Sequence, residues 1–470
     1  MPISNERTSI KVQAERAVLA AVRLPGSSYD PRDPLGELGA LAEQAGATVV
    51  GTMEQRMERP VAGTYMGTGK VRELKELCDK LEATLVIFDH DLSPRQLSNI
   101  EEIVGRKIVD RSELILDIFA SRATTTEAKL QVELAQLEYT YPRLRAMWDH
   151  LERIVGSGGM TGIGTRGPGE QQLEIDRRLA QKKRLNLRRR LDEIEGRKRR
   201  SVAQRNVDHF TVGIVGYTNA GKSTLFNALT AGGAYADDRL FATLVTRTRE
   251  WDVGGGSKVM LSDTVGFVRE LPHNLVASFR ATLEEATHAH LLLIVLDVSD
   301  PSAQMQFDTV NATLDELFGT IQEREERDAA KSGEAHPVTW QQPRRLLLLN
   351  KVDKLPDNAA ILQWQSKNPD ALGIVARDER DAGLAQLREI VKDAALGGER
   401  EVELVIDLKD SRTVDTVEKR AVVISRAYEG GAVRLRVKIG QRTLDQLRSL
   451  GARMSIEGGS AAARPAWKRI

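Results

Sequence analysis

The octapeptide GYTNAGKS at 216–223 has the residue types and spacing to hold a chain of phosphates. It reads Gly216, Tyr217, Thr218, Asn219, Ala220, Gly221, Lys222 and Ser223, with Thr224 next, and fits G-x-x-x-x-G-K-S. Terminal glycines let backbone N–H groups curl around phosphoryl oxygens. The apolar run TVGIV before it reads as a strand and KSTLFNAL after it as a helix. That context puts the loop at a helix N-terminus, whose positive end favours anions. Lys222 is expected to reach the β and γ phosphates and Ser223 to ligate Mg²⁺.

Two further motifs follow in the order such a site needs. LSDTVGF carries Asp263, Thr264, Val265 and Gly266 at the end of an apolar run. Asp263 is expected to hold the magnesium, through water, and the Gly266 N–H to read the γ-phosphate. LLLLNKVD places Asn350, Lys351, Val352 and Asp353 after another. A carboxylate at Asp353 accepts from N1–H and N2–H₂ of guanine, a donor pair adenine lacks. A buried polar site left unpaired by the wrong base discriminates by roughly 10⁴–10⁵, so the expected ligands are GTP and GDP. Between these motifs, Phe241, Ala242, Thr243, Leu244 and Val245 form the candidate first switch. Thr243 is the candidate switch threonine for Mg²⁺ and the γ-phosphate; Thr246 and Thr248 are nearby rivals. Val375 and Ala376 stand where a base-facing Ser-Ala is usual, and the Ala376 N–H is the candidate donor to guanine O6.

Catalysis raises a difficulty. Many GTPases orient the attacking water with a glutamine after D-x-x-G, and here that place holds Phe267. A phenyl ring cannot position water by hydrogen bonding, so intrinsic hydrolysis should be slow, with help coming from a partner or an ion. Asn219 has two readings. It either helps to coordinate a monovalent cation such as K⁺ beside the phosphates, or it stabilises the turn of the loop.

The elements that must position these residues follow from hydrophobic period. At 470 residues, 41% hydrophobic and 29% charged, the chain implies several globular domains. The expected fold is α/β and multidomain. Residues 12–124 alternate strand and helix (AVLAAVRL, ATVVGTM, TLVIFD and KIVD being the strands) and form a parallel α/β domain. Residues 125–206 form a helical hairpin, residues 207–397 a nucleotide-binding domain with a mostly parallel sheet, and residues 398–470 a small α+β domain and tail. The polar stretch 319–345 reads as an inserted surface loop. The net charge of +1 excludes a blanket polyanion binder, so any basic surface is local. The single cysteine, Cys78, excludes an internal disulfide, fits a reducing cytosol and reads as a small helix residue. No apolar run approaches the roughly 20 residues of a membrane helix, and residues 1–12 are too polar for a secretory signal. The expected location is the cytoplasm.

In the hairpin, Leu130, Leu134, Leu137, Tyr141, Leu144, Trp148 and Leu151 make one helical stripe, with a kink expected at Pro142. The returning helix offers Leu173, Leu187, Leu191 and Ile194 as inward residues. Its residues 170–205 hold thirteen Lys/Arg against six Asp/Glu, so the basic excess sits on a protruding rod. The tract VGSGGMTGIGTRGPGE joins the helices; Gly162, Gly164 and Gly167 within it match G-x-G-x-x-G. That dinucleotide fingerprint needs a strand before it, and here a long helix precedes, so the match is a coincidence. The tract instead suits a tip that moulds to a partner. With Arg166 and the basic helix it offers phosphate contacts to RNA, against the plainer reading of a solvated linker. GTGKV at 67–71 lacks the first glycine and the Ser/Thr of a phosphate loop, and reads as a turn into a helix.

Over roughly residues 16–397 the chain resembles the HflX-type GTPases of the Obg–HflX group. The resemblance rests on TYMGTGKVREL, on the segment from DRSELILDIFASRA to LQVELAQLEYTYPRL, on RGPGEQQLEIDRR, on VGYTNAGKSTLFN, and on LFATL with DTVGFVRELP. It implies a ribosome-associated GTPase that binds the 50S subunit, reaches its rRNA with the hairpin, and splits or rescues 70S ribosomes. The sequence departs from the family after LFATL, where Asp-Pro-Thr-Thr-Arg is replaced by Val245-Thr246-Arg247-Thr248-Arg249, and at Val375, where serine is usual. Two other functions remain open on residues alone: a GTPase in RNA maturation or modification, and a GTP-binding scaffold with little turnover.

Overall fold

The computed structural model describes residues 15–26, 32–156, 168–230, 246–254, 257–269, 285–332, 340–449 and 451–459. They fall into two compact units. The first gathers the described residues up to Lys198 together with Val268 and Arg269; the second holds the others.

In the first unit, β1 (Arg16–Arg23), β2 (Thr48–Arg56), β3 (Leu85–Phe88) and β4 (Lys107–Asp110) form a sheet in the order β2-β1-β3-β4. Every pairing is parallel. β1 is buried at seven of its eight positions, as a strand covered on both faces must be. α1 (Gly36–Gln44), α2 (Thr68–Lys80), α3 (Pro94–Val104) and α4 (Arg111–Arg122) are the crossovers. Helix α3 starts on a capping box, with Ser93 and Gln96 bonded reciprocally, and stops at Gly105 with φ 69°. Gly67 is the N-cap before α2, and Cys78 lies in the core beside Val71 and Leu74, where burial pushes its thiol up.

An ion cluster sits at the carboxyl ends of these strands. Asp89, fully buried, accepts from Arg23 (3.1 Å), Arg111 (2.8 Å) and Arg269 (2.7 Å). Arg111 also donates to the backbone carbonyl of Arg269 through Nε at 3.2 Å and Nη2 at 3.1 Å. Burial opposes the charge of Asp89, but Arg111 and Arg269 outweigh it and hold the carboxyl below its ordinary value.

Two long helices follow, α5 (Thr126–Gly156) and α6 (Pro168–Asp208). Helix α5 continues through Pro142. Lys198 pairs with Glu127 at 3.4 Å and Arg188 with Glu138, so the two helices run antiparallel. Leu134, Leu187 and Leu191 are buried between them, with Leu130 and Leu137 packed alongside, and Ile194 is half-buried. The side chains of Leu144, Trp148, Leu151 and Leu173, and residues 157–167 of the glycine-rich tract, lie outside the described residues.

The second unit carries two sheets. The larger has the order β10-β9-β8-β5-β7-β6. It is built from β5 (Phe210–Gly216), β6 (Arg247–Gly254), β7 (Ser257–Asp263), β8 (Leu291–Asp297), β9 (Arg344–Asn350) and β10 (Leu372–Ile374). All its pairings are parallel except β6 with β7. α7 (Lys222–Thr230), α8 (Ala303–Ser332), α9 (Ala359–Lys367) and α10 (Ala382–Leu396) connect the strands. The loop expected at 319–345 is a misreading: α8 extends through residue 332 and β9 starts at Arg344. Val310, Leu314, Leu317, Phe318 and Ile321 continue one buried stripe of α8, and the Glu- and Gln-rich sequence beyond them propagates helix well.

The last sheet has the order β12-β13-β11-β14 and is wholly antiparallel. Its elements are β11 (Glu399–Asp407), α11 (Ser411–Arg420), β12 (Val422–Glu429), β13 (Ala432–Gly440), α12 (Gln441–Ser449) and β14 (Met454–Gly459), a split β-α-β arrangement. The sequence reading missed α11 and β14. The first is a short polar helix capped by Asp410, and the second runs into glycines that read as tail. Residues 460–470 lie outside the described residues. No helix among the described residues is long and apolar enough to cross a membrane.

Candidate functional site

β5 is flanked by β8 and β7 in the larger sheet, and its last residue, Gly216, opens the phosphate loop. A Cβ at Gly216 would lie 2.3 Å from the Val295 carbonyl of β8, so only glycine fits there. Gly221 has φ 95°, and a Cβ there would lie 2.3 Å from Asn350 Nδ2. Helix α7 begins at Lys222, so the free amides of its first turn face the loop. This is the crevice at the carboxyl ends of parallel strands where α/β sheets bind ligands.

Lys222 is buried, and its ammonium donates to the Tyr217 carbonyl at 2.6 Å. Burial pushes its pKa down to about 8, against the opposing pull of Asp263. Ser223 Oγ donates to Asp263 Oδ2 at 2.8 Å, which joins the first turn of α7 to the end of β7. Thr264, next along, donates to the Ile214 carbonyl at 2.7 Å and fastens that strand end to β5. A hydroxyl and a carboxylate that converge in this way are the hard oxygen donors that suit Mg²⁺.

The loop is also stapled to the D-x-x-G segment. Thr218 N–H donates to the Phe267 carbonyl (2.8 Å) and Phe267 N–H to the Gly216 carbonyl (3.1 Å). This forms a one-residue parallel bridge between Tyr217 and Phe267. Phe267 is only 2% exposed. Gly266 lies against the loop: a Cβ there would be 2.8 Å from Thr218 Cγ2 and 2.9 Å from Lys222 Nζ. Val265 is buried beside it.

The N-K-x-D residues come from the end of β9. Asn350 donates to the Ala220 carbonyl (2.8 Å) and accepts from Ala376 N–H (3.0 Å), so one side chain ties the phosphate loop to the segment after β10. Lys351, at φ 61°, donates to the Asn219 carbonyl (3.0 Å) and pairs with Asp297 (2.6 Å). Asn219 itself has φ 60°, a conformation asparagine tolerates better than most side chains. Val352 and Asp353 lie in a 3₁₀ turn, and Asp353 accepts from Arg377. Val375 N–H donates to Asp381 at 3.2 Å.

The structure thus brings together Gly216 to Ser223, Asp263, Gly266, Phe267, Asn350, Lys351 and Ala376; Thr224 continues α7. Phe241, Ala242, Thr243, Leu244 and Val245 lie outside the described residues. Of the rival threonines, Thr248 is held on β6, bonded to Ser262 (3.0 Å) and Glu285 (2.5 Å). Sequence reasoning missed Asp297 and Arg377. Asp297 had a signal, since it ends β8 directly opposite Asn350 at the binding edge of the sheet. Arg377 had none: its ion pair with Asp353 joins segments 24 residues apart through a fold-dependent turn.

Family models describe consecutive stretches of the chain. Residues 32–120 match a GTP-binding GTPase N-terminal region, 122–205 a GTP-binding GTPase middle region, and 211–329 a 50S ribosome-binding GTPase. The GTPase HflX of Magnetococcus marinus is 37% identical over 447 residues, covering 94% of this chain and 96% of its own. That of Escherichia coli K12 is 38% identical, covering 90% and 93%. That of Lacrimispora saccharolytica is 46% identical over 66% of this chain and 73% of its own. With this extent of identity, and a phosphate loop, D-x-x-G and N-K-x-D gathered at one sheet edge, the chain belongs to the HflX family of GTPases.

Proposed function

We propose that this GTPase binds the large ribosomal subunit and splits or rescues 70S ribosomes, with GTP hydrolysis driving its release. The observation that carries this reading is the antiparallel pair α5–α6, whose second helix bears thirteen Lys/Arg against six Asp/Glu over 170–205. A rod with that charge matches the phosphate backbone of rRNA. The 50S ribosome-binding GTPase model at 211–329 names the surface its family binds, and a ribosomal partner implies the cytoplasm. The proposed domains are 12–124, the hairpin 125–206, the GTP domain 207–397 and the C-terminal 398–470.

In the nucleotide site, Lys222 neutralises the β and γ phosphates, and Ser223 and Asp263 would hold Mg²⁺. Gly266 N–H reads the γ-phosphate, and Asp353 selects guanine. Thr243 is assigned the switch role and Ala376 the contact to guanine O6. Mg²⁺ neutralises charge that develops between the β and γ phosphates. K⁺ binding beside Asn219 would add to that neutralisation, and unequal hydrolysis rates in KCl and NaCl are its expected signature. The switch acts on ribosomes only if its two nucleotide states bind them unequally.

Sedimentation with 70S ribosomes tests the function directly. A non-hydrolysable GTP analogue should carry the protein into the 50S fraction and deplete 70S, and GDP should not. Absence of cosedimentation in every nucleotide state would overturn the proposal. Deletion of residues 156–169 should spare intrinsic GTPase activity and weaken ribosome splitting.

A further inference from the structure

We propose that the hydroxyl of Thr218 positions the attacking water for GTP hydrolysis. The inference rests on the assignment of the phosphate loop as the nucleotide site. Phe267, which stands where a water-orienting glutamine is usual, offers no polar side-chain atom, and both its backbone N–H and its carbonyl are bonded to the phosphate loop. A group of this chain that orients water would lie beside Gly266 and Lys222.

Thr218 is placed there. Its methyl carbon Cγ2 and Lys222 Nζ lie 2.8 and 2.9 Å from one point, the Cβ position at Gly266, and one rotamer step about χ1 puts the hydroxyl where the methyl stands. Its backbone N–H is committed to Phe267, so the side chain is its remaining donor. The residue is 6% exposed, and among the described residues its buried Oγ1 meets no hydrogen-bond partner. A buried hydroxyl without a partner is costly and is seldom kept without a use. Lys222, the expected phosphate ligand, is covered to the same degree, at 7% exposed.

A threonine hydroxyl both donates one hydrogen bond and accepts others. It accepts from the water and donates to a γ-phosphoryl oxygen, which fixes the water on the far side of phosphorus from the leaving group. The water oxygen bonds to Pγ as the bond from Pγ to the β–γ bridging oxygen breaks. The electron pair of that bond stays with GDP, and the water proton passes to phosphate. Thr218 ends the cycle with the proton it began with.

The test uses the full chain, with and without 50S subunits. Thr218→Val keeps the shape and removes the hydroxyl; Thr218→Ser keeps the hydroxyl. Single-turnover hydrolysis should fall roughly 10²-fold in the valine variant, the usual scale for one transition-state donor, and stay within about threefold of the parent in the serine variant. GDP affinity should change less than about threefold in both, and binding of GDP with aluminium fluoride, which mimics the in-line transition state, should fail only in the valine variant. Parent-like turnover by Thr218→Val overturns the proposal. So does loss of GDP affinity in parallel with rate, which would make Thr218 a builder of the loop, or failure of Thr218→Ser to retain the rate. Failure of the parent chain itself to bind GDP would instead sink the site assignment.

Discussion

Ser223 and Asp263, forty residues apart, meet through a 2.8 Å hydrogen bond at the foot of the phosphate loop. One comes from the first turn of α7 and the other from the end of β7. Removal of either oxygen would take one donor from the proposed magnesium site. Ser223→Ala and Asp263→Asn should each weaken GTP binding at least about tenfold at millimolar Mg²⁺, with a smaller loss for GDP, because the ion these residues would hold offsets more phosphate charge in GTP than in GDP. Titration of nucleotide affinity against Mg²⁺ checks this; an unchanged Mg²⁺ dependence contradicts the assignment.

Lys222 predicts a pH effect on binding. Burial sets its pKa at about 8, below the ordinary 10.5. Polyphosphate must raise it again, so binding takes up a proton once the free protein has lost it. Nucleotide affinity should be flat below about pH 7.5 and fall as pH rises through 8, approaching tenfold per unit. Lys222→Arg, charged throughout, should flatten the dependence in whatever affinity it keeps. Calorimetry in buffers of different ionisation enthalpy measures the proton uptake directly.

Asp353 should decide the base. Its carboxylate already accepts from Arg377, whose guanidinium offers the same kind of paired N–H donors as the guanine edge. Asp353→Asn presents a carbonyl and an amide in place of two acceptors. GTP affinity should drop by roughly 10²-fold or more, and xanthosine triphosphate, which carries an acceptor at C2, should gain. Competition binding with both nucleotides reads the exchange.

Gly221→Ala should damage loop and fold together. The residue is at φ 95°, and the added methyl would meet Asn350 Nδ2 at 2.3 Å. The left-handed conformation alone costs about 1–2 kcal/mol, a drop of several degrees in Tm for a unit of this size. Displacing Asn350 also frees the Ala220 carbonyl and Ala376 N–H that it joins. A variant with parental Tm and GDP affinity would contradict this geometry.

His290 should make the second unit acid-sensitive. Its ring stacks on Phe210 with centroids 5.0 Å apart, its Nδ1 accepts from Thr211 N–H at 3.0 Å, and its Nε2 faces Arg442. Burial first, and then the Arg442 charge, push its pKa from 6.5 to about 3. The unfolded chain therefore takes up a proton that the fold excludes. The resulting stability is complete above pH 6.5 and is lost progressively as pH falls toward 3, about 2 kcal/mol of it by pH 5. Denaturant unfolding at pH 7 and pH 5 should show that loss in the parent and much less in His290→Gln.

Most of the nucleotide site was legible because its motifs are local. GYTNAGKS is a strand end, a turn and a helix start in eight consecutive residues, and D-x-x-G and N-K-x-D each close an apolar run. The parallel strands were legible for a related reason: β1, β5, β8 and β9 are covered on both faces and read as continuous apolar runs. Period failed where packing decided the outcome. α8 runs past residue 318 because Ile321 still finds the core, and β14 forms because β11 offers it a free edge.

What the sequence determined by itself was which residues are candidates to hold a guanine nucleotide, since turn geometry, helix starts and donor chemistry depend on near neighbours. Only the tertiary structure decided which of them touch. Lys351 with Asp297, Asp353 with Arg377, Thr218 with Phe267 and Asp89 with Arg269 all join segments that are far apart in the chain. Such pairs depend on strand order and on burial, which strengthens charge and hydrogen bonding where water is excluded. Neither quantity is written in the spacing of residues along a chain.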